Sequence, residues 1–301
     1  MPELPEVQTV VDDLNKKIIG RKIIGVWFDT PKIIKKPDPK DFTRLINGAV
    51  IKEIKRRGKN ILIYLTSNSR LLTANLLLIH QKMTGHLLVG KWKIKNKKIQ
   101  PLTPSALKEK VNDYIHLIFK LDNGLMLGLS DLRKFAKVLF GLAEEIEALP
   151  DLTKLGPDSL DKNFTFKKFK ETISKEKRKI KQVLMDQEVI AGIGNIYSDD
   201  ILWQAKIHPF KPANSLSIAE LGRIYKFMKL ILKKAIKLRG TSISDFRDTA
   251  GKAGGYGNVR LVYQRENELC GRCKTPIKRI KIGGRSAHFC PKCQSTSFQL
   301  D

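Results

Sequence analysis

Cys270-Gly-Arg-Cys273 and Cys290-Pro-Lys-Cys293 hold all four cysteines of the chain. Two Cys-x2-Cys knuckles sixteen residues apart are a tetrahedral zinc signature. Each knuckle turns two thiolates toward one point, and the intervening hairpin brings the pairs together. The competing readings are a pair of disulfides, or a ribbon that only staples a tail. Lys274, Lys278, Arg279, Lys281 and Arg285 lie between the knuckles, with Arg272 and Lys292 inside them. A metal-pinned hairpin of this charge suits contact with phosphates.

The whole chain carries the same bias. Fifty-seven Lys+Arg against thirty Asp+Glu leave a formal charge of +27 over 301 residues. That excess exceeds what one solvated face needs and implies a polyanionic partner, with nucleic acid ahead of an anionic membrane. Apolar runs are short and interrupted by lysine, as in Leu230-Ile-Leu-Lys-Lys-Ala-Ile-Lys237, which disfavours a membrane span. Met1-Pro-Glu-Leu-Pro-Glu6 is acidic and proline-rich, unlike a signal peptide. A cytoplasmic setting is therefore expected, where paired thiols bind metal rather than form disulfides. At 42% hydrophobic, the chain is long enough to bury two cores.

Pro5 to Ile19 reads as an amphipathic helix, with Val7, Val10, Val11, Leu14 and Ile18 on one face and Gly20 just past its end. Seven β-rich segments follow, at Lys22–Phe28, Val50–Lys55, Asn60–Thr66, Leu71–Leu78, Ile115–Leu121, Leu125–Leu129 and Lys137–Phe140. Short, closely spaced strands predict an antiparallel sandwich or barrel. The five lysines of Lys91–Gln100 read as a solvated loop or extended hairpin. Pro150, Gly156 and Pro157 mark a linker, after which helical periods dominate: Phe164–Ser174, Ile180–Gln187, Ile193 to about Ala205, and a long helix opened by the Ser217–Glu220 capping box. The predicted domains are 1–150, a linker at 151–160, a helical DNA-binding domain at 161–250, and a loop with the four-cysteine zinc finger at 251–301. Four glycines within Gly251–Gly257 predict a mobile loop.

Two further features carry chemistry. Removal of Met1 would expose Pro2 as a secondary amine. The reference pKa of an α-amino group, about 7.7–8.0, leaves part of it unprotonated at neutral pH. Such an amine can attack an aldehyde-like carbon and hold it as an iminium, with Glu3 placed to move a proton. The tripeptide alone is weak evidence. Ala191-Gly-Ile-Gly-Asn-Ile-Tyr197 is a glycine-flanked turn that lets a phosphate approach the amides opening a helix, with Lys175, Lys177, Arg178, Lys179 and Lys181 upstream. A tight turn without ligand is the alternative.

Three stretches together carry a resemblance. Met1-Pro-Glu-Leu-Pro-Glu-Val7, Leu184-Met-Asp-Gln-Glu-Val-Ile-Ala-Gly-Ile-Gly-Asn-Ile-Tyr197 and Gly283-Gly-Arg-Ser-Ala-His-Phe-Cys-Pro-Lys-Cys-Gln294 resemble, in order, the opening, the helix-two-turn-helix motif and the zinc finger of the formamidopyrimidine-DNA glycosylase family. The resemblance implies an α+β protein of two lobes, an N-terminal antiparallel β-sandwich with flanking helices and a helical lobe with a zinc hairpin, gripping DNA in a cleft. It implies a bifunctional glycosylase and AP lyase removing oxidised purines, with β,δ-elimination. Pro2 matches the Schiff-base nucleophile, Glu3 the proton donor and acceptor, Lys59 the lysine that contacts phosphate and assists elimination, and Arg285 the finger arginine. Met83, Arg133 and Phe135 match the three side chains that fill the hole left by a flipped base, although Met83 and Phe135 could equally be sandwich core. Lys177 and Asn195 match phosphate contacts. Cys270, Cys273, Cys290 and Cys293 match the ligands of one structural Zn2+. The implied partner is double-stranded DNA bearing oxidised bases or abasic sites, met by a monomer on the bacterial nucleoid.

The chain also departs from the family. Leu132 stands where Pro is usual, Ala136 where Gly is, and Gln81 where Leu is. Val111-Asn-Asp-Tyr114 replaces Lys-His-Asp-His, so Asn112 takes the place of a phosphate-contacting histidine. The lysine-rich stretch near 91–110 is longer than usual. The alternatives are an endonuclease VIII-like enzyme for oxidised pyrimidines, disfavoured by Leu4 where Gly is usual, and a non-catalytic zinc-ribbon DNA-binding protein, disfavoured by Pro2, Glu3 and Lys59 together. An RNA-binding role would leave Pro2 and Glu3 without a purpose.

Overall fold

A computed structural model describes residues 1–66, 75–95, 98–102, 105–243 and 245–295. The chain forms two compact units, Met1–Thr153 with Leu238–Gly257, and Lys154–Lys237 with Asn258–Asp301. Residues 238–250, read as part of the helical domain 161–250, belong instead to the first unit. After the long helix the chain returns to the first unit, because Phe246 joins the sandwich core and Thr241 bonds to the N-terminal helix. No helix among the described residues is long and apolar enough to cross a membrane.

The first unit opens with helix α1 (Leu4–Lys17), whose Val7, Val10, Val11 and Leu14 are buried as their spacing requires. Its strands are β1 (Ile23–Phe28), β2 (Ile34–Lys36), β3 (Ile51–Arg57), β4 (Asn60–Leu65), β5 (Asn75–His80), β6 (His86–Gly90), β7 (Trp92–Lys95), β8 (Lys98–Pro101), β9 (Ile115–Leu121), β10 (Met126–Ser130) and β11 (Lys137–Leu142), with α2 (Pro39–Ile46), α3 (Ala143–Glu147) and α4 (Pro150–Thr153) between or after them. The first half of the expected strand Leu71–Leu78 lies outside the described residues. One sheet has the order β1-β9-β10-β6, the other β2-β11-β5-β4-β3. All ladders are antiparallel except β2 against β11, which run parallel. Leu87, Leu117, Leu129, Ile61, Ile79 and Val138 pack in one core. Phe42 of α2 sets its ring edge-on to Phe119 of β9, with centroids at 6.1 Å, and to Phe140 of β11, at 6.0 Å. One aromatic residue thereby bridges strands of the two sheets.

The second unit contains α5 (Phe166–Ser174), α6 (Ile180–Met185), α7 (Asn195–Ala205) and α8 (Ile218–Lys237), then the hairpin of β12 (Lys278–Ile282) and β13 (Arg285–Phe289). Leu221, Ile224, Met228, Ile231, Leu232 and Ala235 make the buried stripe of α8, and α7 packs against both α8 and β13.

Candidate active site and nucleic-acid interface

Strand register brings the candidate residues of the first unit to one end of the sandwich. Asn60 of β4 lies opposite His80 of β5, which lies opposite Lys137 of β11. The segments just outside these residues therefore emerge side by side: Gly58–Lys59, the turn at 81–85 carrying Met83, and the turn at 131–136 carrying Arg133 and Phe135. Helix α1 is oriented toward the same end. Asn15 Nδ2 donates to Ile54 O at 2.9 Å, while Gln8 Oε1, about two turns nearer the N-terminus, accepts from Arg56 Nε at 2.8 Å. Arg56 in turn donates to Gly58 O at 2.9 Å, so the approach of α1 to β3 carries Pro2 and Glu3 toward the Lys59 turn.

Pro2 is buried behind an exposed Met1. Glu3, 3% exposed, is the N-cap of α1 and forms a capping box with Glu6. Glu6, which the sequence reading did not single out, is 1% exposed. Its two carboxylate oxygens accept from Glu3 N–H at 2.8 Å and Thr241 N–H at 2.7 Å. A Cβ at Gly240 would meet the Glu6 side chain at 2.8 Å, and Gly240 has φ of +78°, so a glycine fits there for both reasons. The sequence signal was present: a glutamate three residues after the N-cap is the reciprocal half of a capping box.

Lys59 is 5% exposed. His80 is held to a pKa of about 3, by burial first and then by the Lys82 and Lys59 cations. Its Nδ1 therefore stays an acceptor and receives Lys82 N–H at 2.9 Å, closing the turn that carries Met83.

The two wedge turns are clipped to each other. Asp131, 0% exposed, accepts the Thr84 hydroxyl and Ala136 N–H at 2.7 Å. Thr84 Oγ1 accepts Arg133 N–H at 3.1 Å. Both turns cross between the two sheets, and this clip fixes their spacing. Met83 is 36% and Phe135 50% exposed, so neither is sandwich core. The Arg133 guanidinium lies over the Phe135 ring at 4.5 Å, a cation–π arrangement.

Asn112 departs from the expected phosphate contact. It is 2% exposed, with Nδ2 donating to Ala106 O at 2.8 Å and Gly251 O at 3.3 Å and Oδ1 paired with His86 Nε2 at 2.9 Å. A shorter amide in place of a histidine turns inward, where these buried groups satisfy it. The glycine-rich loop is correspondingly pinned rather than loose. Thr249 O accepts Val89 N–H at 2.8 Å, and Asp248 Oδ1 accepts the Ala250 and Lys252 amides, each at 2.9 Å. Thr249 Oγ1 donates to Asp13 at 2.8 Å. Burial pushes the Asp13 carboxyl up, but hydrogen bonds from Arg239 and Thr249 outweigh it and hold the group below its ordinary range.

In the second unit, Gln187 shapes the turn before α7. Its Nε2 donates to Met185 O at 2.8 Å and Ile193 O at 2.7 Å, and its Oε1 accepts Gly192 N–H at 2.9 Å. Asn195 is the first residue of α7, with its Oδ1 buried and unbonded. Lys177 is exposed in the preceding basic loop, and Arg285 is exposed at the tip of the β12–β13 hairpin.

Two adjacent acids of α7 that the sequence reading passed over hold the finger region: Asp199 holds the hairpin, and Asp200 the segment leading into the finger. Asp199, 1% exposed, pairs with the equally buried Lys181 and accepts His288 N–H at 2.9 Å. Asp200 Oδ1 accepts Val262 N–H at 3.0 Å and Oδ2 accepts Leu261 N–H at 3.0 Å. Removing one partner of a buried pair costs about 3–5 kcal/mol, so Asp199 anchors β13, the strand that carries Arg285. Two acids inside an otherwise apolar helix, Ile196 to Trp203, were its visible signal.

The four sulfurs lie within 4.8 Å of one another, with Cys270–Cys293 at 3.9 Å and Cys273–Cys290 at 3.4 Å. Zn–S bonds of about 2.3 Å in a tetrahedron put sulfurs about 3.8 Å apart, so the quartet fits. Burial, then the neighbouring thiols, push Cys293 up to about 12. A divalent cation resolves that crowding by taking all four as thiolates.

Residues 1–138 match the formamidopyrimidine-DNA glycosylase N-terminal domain, residues 155–247 the formamidopyrimidine-DNA glycosylase H2TH domain, and residues 267–296 the zinc finger found in FPG and IleRS. The chain belongs to the formamidopyrimidine-DNA glycosylase family. Among relatives, the formamidopyrimidine-DNA glycosylase of Herpetosiphon aurantiacus is 36% identical over 299 residues, covering 98% of this chain and 100% of its own. The Lactococcus lactis family member in complex with abasic-site DNA is 32% identical with a TM-score of 0.83, over 98% of this chain and 100% of that one. A mutant of the same protein in complex with Fapy-dG containing DNA is 33% identical with the same TM-score and coverage. The two-lobed family fold, with a sheet-rich N-terminal part and a helical C-terminal part ending in a zinc hairpin, is that of this chain. Its zinc is structural, held by Cys270, Cys273, Cys290 and Cys293.

Proposed function

We infer that this protein is a base-excision DNA glycosylase with AP lyase activity, acting on oxidised purines in duplex DNA. The observation that carries the reading is the gathering of Pro2, Glu3 and Lys59 at the end of the sandwich that also presents Met83, Arg133 and Phe135. Relatives in complex with abasic-site and Fapy-dG DNA supply the substrate class.

With Met1 removed, the Pro2 nitrogen attacks C1′ of the damaged nucleotide. The C1′–N glycosidic bond breaks, and the base leaves with a proton. The C1′–O4′ bond then breaks as Glu3 gives a proton to O4′, and the open sugar is held as an iminium on Pro2. Loss of a C2′ proton, with Glu3 as the acceptor, breaks the C3′–O bond, and a second elimination releases the 5′ phosphate. Lys59, buried in the turn between β3 and β4, neutralises a phosphate at the reacting nucleotide. Arg285 grips the backbone from the hairpin tip, where Gly283 and Gly284 supply the left-handed turn with φ of +52° and +74°. Met83 and Phe135 occupy the stack after flipping, and Arg133 hydrogen-bonds the orphaned base. Lys177 and the amides opening α7 at Asn195 hold further phosphates. The same reading has the chain act as a monomer in the cytoplasm.

Cleavage of duplexes carrying 8-oxoguanine, dihydrouracil or an abasic site, side by side, tests it. Cleavage of the first and third with little of the second is expected. Preference for dihydrouracil would support the oxidised-pyrimidine reading, and no cleavage would leave only binding.

A further inference from the structure

Within the longer lysine-rich stretch, β7 and β8 pair as a hairpin ladder. Across the β7–β8 ladder Trp92 faces Pro101, Lys93 faces Gln100, Ile94 faces Ile99 and Lys95 faces Lys98. Alternation sorts these residues by face. Trp92, Ile94 and Ile99 pack with Leu88, Leu107, Ile115 and Ile118 on the side of the β1-β9-β10-β6 sheet away from the main core. A Cβ at Gly90 would meet Leu107 Cδ1 at 2.5 Å and the Trp92 ring at 3.1 Å, so this cover is seated closely.

The opposite face of the hairpin is cationic. Lys93, Lys95, Lys98 and Gln100 are exposed, as is Lys108 beside them. Among the described residues none of these lysines is ion-paired. Lys95 and Lys98 stand directly opposite each other, an arrangement of like charges that destabilises a sheet. Lys98, Gln100 and Lys108 also line an open groove of about 710 Å³ with Ile99, Pro101 and Asp113. Asp113 is the one acid among these lining residues, and burial raises its carboxyl above its ordinary range. A rigid apolar base that holds unpaired, mutually repelling cations outward is suited to a linear polyanion. Strand β6 separates this hairpin from the wedge: His86 follows the Met83 turn and Gly90 precedes β7, about 13 Å apart along the strand.

We propose that the β7–β8 hairpin is a second docking surface for the phosphate backbone of duplex DNA, outside the segment held at the wedge. The proposal rests on DNA being this protein's partner. It acts independently of sequence and extends the footprint of the first unit along the duplex or to a neighbouring one.

The test compares full-length protein with Lys93→Gln/Lys95→Gln/Lys98→Gln on undamaged duplexes of about 12 and about 40 base pairs, across a salt titration. On the long duplex the slope of log affinity against log salt should fall by about 2.7, at ~0.9 per lost phosphate contact. On the short duplex both proteins should bind alike, and a separate short duplex carrying an abasic site should be cleaved alike by both. The variant's melting temperature should equal or exceed that of the unaltered protein, since a like-charge pair has gone. An unchanged slope on the long duplex overturns the proposal, as does an equal loss on the short one. Loss of binding to RNA or to phosphatidylserine vesicles with the DNA slope intact assigns the face to another partner. Failure of both proteins to cleave the abasic site would instead count against the proposed function.

Discussion

The Asp131 clip ties fold to chemistry, and its removal has a calculable effect. Asp131 accepts from the Thr84 hydroxyl and from Ala136 N–H at 2.7 Å, while fully buried. Hydrogen bonds to a charged acceptor contribute about 1.5–3 kcal/mol each. Asp131→Ala therefore removes roughly 3–6 kcal/mol, a large share of a typical domain's ~5–15 kcal/mol. Asp131→Asn is the more informative change. Its oxygen can still take Ala136 N–H, but its NH2 then faces Thr84, whose hydroxyl loses the charged acceptor it donates to while still accepting Arg133 N–H at 3.1 Å. One bond is lost, at about 1.5–3 kcal/mol, and the two turns lose their fixed spacing. Urea unfolding of the full chain measures the first effect. Excision from an 8-oxoguanine duplex against strand cleavage at a preformed abasic site measures the second. If about 1.4 kcal/mol of the loss appears in the flipped state, excision slows about tenfold. Abasic cleavage should change much less, since no stacked base has to be extruded. Stability within ~0.5 kcal/mol of the unaltered protein, or an equal fall in both reactions, would refute the reasoning.

Removing the metal should act on the second unit alone. Cys273→Ser, or chelation, should unfold the hairpin and weaken DNA binding while the sandwich keeps its transition, because zinc supplies much of such a module's folding free energy. Equal stability of the metal-free protein would contradict this. Acid should destabilise the fold through His80, held to about 3, and His208, held to about 4, both chiefly by burial. Unfolded histidine titrates near 6.5, so their contribution is full above that pH and is lost as pH falls toward the folded values. The urea midpoint should drop between about pH 7 and pH 4.5, and His80→Gln should flatten part of that drop. A midpoint constant over this window would show that neither histidine is held neutral.

Much of this was legible in the sequence where a local rule decides. The knuckle spacing gave the metal quartet, and the 3.6-residue stripes gave α1 and α8. The parallel pairing of β2 with β11 was not legible, because strand direction is set by long-range contacts that no local pattern encodes. Strand β6 was missed, whereas β7 and β8 form the extended hairpin that was one of the two readings of Lys91–Gln100. Asn112 shows the limit of carrying a position across by motif: an amide shorter than the histidine it replaces finds buried partners in His86, Ala106 and Gly251. Asp131, Asp199 and Glu6 were hard to see for a related reason. A buried acid is explained only by the amides and cations around it, and these come from distant parts of the chain.

The central claim is that the Pro2 nitrogen becomes covalently joined to the sugar. Borohydride reduction of the protein mixed with abasic-site duplex, followed by mass mapping of the linked peptide, tests it most directly. An adduct on the N-terminal peptide at Pro2 is expected, absent when Met1 is retained or the amine is acetylated. Efficient trapping by protein with a blocked N-terminus, or an adduct mapped to Lys59, would contradict it.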